Sequence, residues 1–160
     1  MPATVSNPRD LLVELLCRLL YVERRLADAV LRDLADAVHD DGLRASLEEH
    51  RAETKTHAER IETAFQRLEV ATTSNRDDAF ESLVAQHDRL TGSVKSDRLA
   101  DVHHAAAALR TEHAEIAAYI AVLALAEATG YGDAVADLAA SLRDEEAARA
   151  TLEAALPRLV

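Results

Sequence analysis

Seven ionisable residues, Glu23, His50, Glu53, His57, Glu112, Glu115 and Glu145, lie in or beside positions where helical spacing calls for apolar side chains. In one stretch, Leu43 and Leu47 are followed at steps of three and four by His50, Thr54 and His57. Ile61, Ala64 and Leu68 then resume the stripe, and Glu53 falls one step to its side. Three other segments break in the same way. Leu12, Leu16 and Leu19 lead to Glu23, then Leu26 and Val30. Val102, Ala106 and Leu109 lead to Glu112 and His113, with Glu115 just before Ile116, Tyr119, Ile120 and Leu123. Val135, Leu138 and Leu142 lead to Glu145, then Arg149, Leu152 and Leu156.

An unpaired buried carboxylate costs several kcal/mol even after relaxation, so a core holding four of them needs compensation. Protons, arginine, water or metal ions could each supply it. The mixture of carboxylate and imidazole, without thiolate, suits Fe, Mn or Zn. Di-metal carboxylate bundles take one Glu from each of two helices and a Glu-x-x-His from each of the other two. Glu23 and Glu112 fit the single-Glu roles. Glu53 has His50 three residues before it and His57 four after, both neighbours on a helix surface. Glu145 has no second imidazole, and Arg149 one turn on could instead pair with it. Tyr119 could donate to a ligand or simply pack.

The elements that must position these residues follow from the breaks in the pattern. Helices are expected over 8–39, 43–69, 77–90, 97–129 and 133–156, within a single domain spanning 1–160. Asn7 and Pro8 read as an N-cap and first helical residue, Asp40 to Gly42 as a helix end with Gly42 left-handed, Asp133 as an N-cap and Pro157 as a stop. Two long helices, a long crossover with a short fifth helix, and two more long helices make an all-α, ferritin-like antiparallel four-helix bundle. The depths agree. Glu23 is about 18 residues before Asp41 and Glu53 about 12 after; Glu112 is about 19 before Tyr131 and Glu145 about 14 after. At 1.5 Å per residue the offsets are roughly 9 and 7 Å, in the same sense.

Composition narrows the function. Aromatics are 3% and Gly and Pro number 4 and 3, a helix-forming profile. A net charge of −11 argues against nucleic acid as a partner. No apolar run reaches membrane-spanning length, and no leader pattern precedes the first helix, so a cytoplasmic protein without a membrane partner is expected. The cations are Arg apart from Lys55 and Lys95, against 29 acids; so acidic and Lys-poor a surface is expected of a protein working in concentrated salt. Cys17, on a Leu-rich face, reads as a packing residue. His39, His87, His103 and His104 lie outside the acidic layer and read as surface or structural. No nucleotide, flavin or haem motif is present.

The strings LLYVERRL, EEHRAETKTHAERIE, TEHAEIAAYIAVLALAEATGYGDA and LRDEEAARATL resemble the corresponding segments of the YciE/YciF-type ferritin-like stress proteins, over roughly Leu11 to Leu156. The resemblance implies a ferritin-like bundle, usually a homodimer, with a di-metal carboxylate site. It places the family's ligand strings on Glu23, on His50, Glu53 and Thr54, on Glu112, His113 and Glu115, and on Glu145. Two departures stand out: Arg149 occupies a position where the family carries Asp, and His57 one where it carries Gln. The expected cofactor is two Fe or Mn ions per chain, with Zn as a substitute, and the expected substrate is a small oxidant or iron. A non-enzymatic interaction protein built on a buried polar network is the alternative; bulk iron storage would need a hollow cage.

Overall fold

The computed structural model describes residues 4–160, and every element among the described residues is helical. Helix α1 (Pro8–Arg25) runs through a π turn (Leu26–Val30) into α2 (Leu31–Ala37), so the two form one long rod. Then follow α3 (Asp41–Arg67), α4 (Asp78–Thr91), α5 (Asp97–Ala128), the single turn α6 (Gly132–Val135) and α7 (Leu138–Leu159).

Helix starts follow cap chemistry. Asn7 Oδ1 accepts from the Asp10 N–H at 2.9 Å with Pro8 in the first turn, Asp40 accepts from Leu43 N–H at 2.7 Å, and Asp77 from Phe80 N–H at 2.8 Å. Three expected boundaries differ. Gly42 sits inside the first turn of α3 and is not left-handed, because Asp40 caps that helix and the chain turns at extended Val38. Asp133 lies within the short α6, and α7 starts at Leu138. The last helix continues past Pro157 to Leu159, whose buried side chain holds the final turn against the core.

Two apolar cores fill the bundle. One joins Leu12, Leu16 and Leu20 of α1 to Ile61 and Phe65 of α3, Tyr119 and Val122 of α5 and Leu138 of α7. The other joins Leu26, Leu31 and Leu34 to Leu43 and Leu47, Ala105 and Ala108, and Leu152. The first core therefore takes the N-terminal halves of α1 and α7 and the C-terminal halves of α3 and α5. Neighbours around the ring are antiparallel, the ferritin-like arrangement. Since α3 ends at one end of the bundle and α5 starts at the other, the crossover has to climb the bundle's length. Helix α4 does so against α5, with Phe80 as its only buried residue among those described.

The α2–α3 turn is tied to α5 by Asp101. Its buried carboxylate accepts from the His39 and Asp40 backbone N–H groups at 2.7 and 2.8 Å. Hydrogen bonds to a charged group contribute roughly 1.5–3 kcal/mol each. Asp101→Ala is therefore expected to lower unfolding free energy by about 3 kcal/mol in a urea titration, with Asp101→Asn losing about half of that.

Candidate metal centre

Between the two apolar cores lies a polar layer built by all four long helices. Glu23 enters from α1, His50 and His57 from α3, Glu112 and Glu115 from α5 and Glu145 from α7, and all six are buried. His50 and His57 share the face that carries Thr54, whose hydroxyl donates to the His50 carbonyl at 2.8 Å; Glu112 and Glu115 share theirs because they are three residues apart.

The layer holds two overlapping clusters. One ligand atom from each of His50, Glu112, Glu115 and Glu145 lies within 4.8 Å of the others, and the same holds for Glu23, His57 and Glu145. Glu145 belongs to both. Its Oε2 is 3.5 Å from His50 Nε2 and its Oε1 is 2.8 Å from His57 Nδ1. His50 Nε2 is also 3.2 Å from Glu112 Oε1, and His57 Nδ1 is 3.5 Å from Glu23 Oε2. The two imidazole centres are 6.3 Å apart.

Among the described residues, eight buried side-chain oxygen and nitrogen atoms have no hydrogen-bond partner. All eight belong to these six residues: Glu23 Oε2, His50 Nε2, His57 Nδ1, Glu112 Oε2 and both carboxylate oxygens of Glu115 and Glu145. Orphaned buried acceptors concentrated in one layer call for a ligand to satisfy them. The donor set fits divalent metal on two counts. Four carboxylates balance the charge of two dications. Four Glu and two His is also the donor count of di-iron carboxylate bundles, dealt out here as a His pair on α3 and a Glu-x-x-Glu on α5.

Surrounding groups hold the donors in place. The Tyr119 hydroxyl donates to Glu23 Oε1. His57 Nε2 meets Asp144 Oδ2 at 3.3 Å, and Asp144 is in turn held by Arg60 at 2.9 Å. Neither Asp144 nor Arg60 stood out in the sequence, although Asp144 adjoins Glu145. Glu53 lies behind His50, with Oε2 3.4 Å from Nδ1 and the side chain 42% exposed. It is therefore an orienting partner of His50 and not a member of the cluster. Arg149 and His113 are also corrected. Both turn away from the layer toward Glu153, at 2.7 and 3.7 Å: His113 is one residue from the inward Glu112 and so points off its face, while the long Arg149 side chain, one turn from Glu145, reaches outward to Glu153.

Two openings reach the layer. A cavity of ≈ 170 Å³ beside His50 and Glu112 is also lined by Glu49 and Glu53, an acidic approach for cations. A second, of ≈ 360 Å³, runs between Leu15, Leu19, Val22, Phe80 and Ala118 to Glu115, an apolar approach.

Ferritin-like topology around a buried carboxylate and imidazole layer places the chain among ferritin-like helical bundles with a candidate di-metal centre. The domain-of-unknown-function family DUF892 matches residues 7–160, and the chain belongs to that family, the YciE/YciF type. It is 29% identical to protein YciF of Escherichia coli K12 over 139 residues, 86% of this chain and 83% of that one. The crystal structure of the E. coli stress protein YciF superposes with a TM-score of 0.90 at 27% identity, covering 97% of this chain and 98% of that one. YcfI of Rhodopseudomonas palustris, described as a candidate structural protein, superposes with a TM-score of 0.91 at 27% identity, covering 96% and 97%.

Without metal, the layer is compensated by protons. Burial alone would push both imidazoles down, but Glu112 and Glu145 carry His50 up to about 9, and Glu145 and Glu23 carry His57 up to about 10. Burial raises Glu23, Glu145 and, furthest, Glu115, which also faces the charges of Glu145, Glu23 and Glu112. Groups whose folded pKa is raised stabilise the fold below the unfolded value, and that stability is lost as pH climbs through the folded value. Chelator-treated protein is therefore expected to melt at progressively lower temperature from about pH 6.5 to pH 10, measured by circular dichroism. Metal affinity should rise over the same window, since each ligand must shed its proton.

Proposed function

We propose that this chain is a di-metal carboxylate stress protein that holds two Fe or Mn ions, with Zn as a substitute, and acts on peroxide, oxygen or iron. The carrying observation is that eight unpartnered buried donor atoms, and no others among the described residues, converge on one layer. His50, Glu112 and Glu115 would hold one ion, Glu23 and His57 the other, and Glu145 would lie between them. Two Fe or Mn ions would supply, when bound, the two-electron capacity that reduction of peroxide or oxygen requires; Zn, which has no redox chemistry, would fill the site without it.

The chain's own residues do the rest. Glu53 and Asp144 fix the two imidazoles from behind, and Tyr119 holds Glu23 with a hydroxyl whose pKa burial and Glu23 push well above the usual phenol range. That hydroxyl stays protonated and can donate. Leu15, Leu19, Val22 and Phe80 keep water from the Glu115 side while leaving room for a small oxidant. The role in stress follows the description of the E. coli relative. A homodimer, a cytoplasmic location and a surface adapted to salt belong to the same proposal. No helix among the described residues is long and apolar enough to cross a membrane.

A second reading is favoured by the 2.8 Å approach of His57 to Glu145: a metal-free network of charge pairs in a structural protein. Elemental analysis and melting separate the two. The di-metal reading expects about two Fe or Mn per chain in protein purified without added metal. It also expects stabilisation by about 2.7 kcal/mol per site at a hundredfold excess over Kd. Glu145→Gln should abolish the pair of ions, whereas Glu53→Ala should keep the stoichiometry and weaken binding by about 10–100-fold. The network reading expects no metal, no change in melting on chelation, and a loss of about 3–5 kcal/mol in Glu145→Gln from the broken buried pair.

A further inference from the structure

Outside the central layer, the far end of α4 is held to α5 by imidazoles. Beyond Val84 only His87 and Thr91 of that helix are shielded from solvent, and Leu90 is 53% exposed. His87 Nε2 lies 2.8 Å from Nδ1 of the buried His104. The His87 and His103 rings stack with centres 4.7 Å apart, and His103 Nε2 donates to the His87 carbonyl at 3.2 Å. The His87–His104 contact is a hydrogen bond only while one of its two nitrogens carries no proton. One added proton fits, because either ring, once charged, still donates to the other, and Asp88 Oδ1 lies 3.2 Å from His87 Nδ1 to offset the charge. A second does not fit: two N–H groups would face each other across 2.8 Å, in rings that are both cations.

Little nearby offsets a second charge. Asp101 is committed to the backbone N–H groups of His39 and Asp40, and Asp33 of α2 pairs with Arg32 at 2.9 Å. Arg25 and Arg110 line the cavity beside the pair, and His39, when charged, adds to the repulsion. Burial first, then the charges of His87 and His103, hold His104 below the usual imidazole value. We propose that His87 and His104 are an acid-released latch, in which a second proton on the pair lifts the last turns of α4 from α5. Free imidazoles titrate at about 6.5, so the released end binds two protons where the docked pair binds one, and docking weakens by about tenfold per pH unit below about pH 6. His87, Asp88 and Thr91 wall a cavity of ≈ 370 Å³ against Leu34 and Ala107, so release opens that cavity. The central layer responds in the opposite sense, its raised imidazoles stabilising the fold in acid, so the two effects separate.

The test is hydrogen exchange of full-length protein, with chelator present at every pH and rates corrected for the intrinsic pH dependence of exchange. In wild type, protection of residues 87–91 is expected to fall about tenfold between pH 6 and pH 5, while that of residues 112–123 in α5 does not fall. His87→Gln and His104→Gln, whose amides donate and accept without titrating, should each hold the protection of 87–91 constant to within about twofold over the same range. Wild-type protection of 87–91 that stays constant from pH 7 to pH 5 would overturn the latch, as would a fall of equal size in both glutamine variants. The ring-proton resonances of wild type give a second reading: the pair is expected to titrate in two separated steps, the second accompanying the loss of protection. Two independent titrations near the free imidazole value would likewise overturn the inference.

Discussion

Six ionisable side chains stand in a buried layer with apolar packing above and below, and the rest of the bundle is arranged to make that tolerable. Four carboxylates this close repel one another in a medium that screens poorly. Burial, with this repulsion added to it, raises Glu23 and Glu145 and carries Glu115 well above the usual carboxylate range, while the neighbouring carboxylates hold His50 and His57 far above the usual imidazole value. Protons relieve the repulsion only in part, since both carboxylate oxygens of Glu115 remain without a hydrogen-bond partner. Two dications would satisfy both the charge and the orphaned atoms.

The apolar cores supply the stability that such a layer spends. Leucines with Ile61 and Phe65 on one side, and leucines with Val22, Val38 and Phe80 on the other, bury apolar surface at about 25 cal/mol per Å², which offsets the unfavourable centre between them. The antiparallel ring also matters: each helix brings its polar break to the same depth, so that α1, α3, α5 and α7 converge on a volume only a few ångströms across. The π turn begins three residues after Glu23, and Arg51 of α3 donates to the Ala27 carbonyl in it at 2.7 Å. Widened turns of this kind recur beside functional sites, where they re-aim a helix face.

Much of this was legible beforehand because helical periodicity sets which residues share a face. The phase of Leu47, His50, Thr54, His57 and Ile61 places both histidines inward, and the same phase puts Glu53 one step aside, where it stands. Arg149 was harder. Its spacing from Glu145 allows a pair, but a side chain that long finds Glu153 and solvent before it turns inward. Asp144, Arg60 and Asp101 carried no periodic signal, since they act across helices: 87 residues separate His57 from Asp144, and 62 separate His39 from Asp101. The meeting of His87 with His103 and His104 was hidden for the same reason, since all three are ordinary residues until α4 is laid against α5.

By itself, then, the amino-acid order determined the helices, their apolar faces and the six inward ionisable residues, because these depend on spacing along one chain at 3.6 residues per turn. Tertiary structure alone decided which of those residues meet. It set Glu145 between two histidines, sent Glu53 behind His50 and gathered His87, His103 and His104 at the end of the crossover. Those outcomes depend on helix rotation, register and crossing at the scale of an ångström. Packing between elements far apart in the chain fixes these quantities, and no local pattern encodes them.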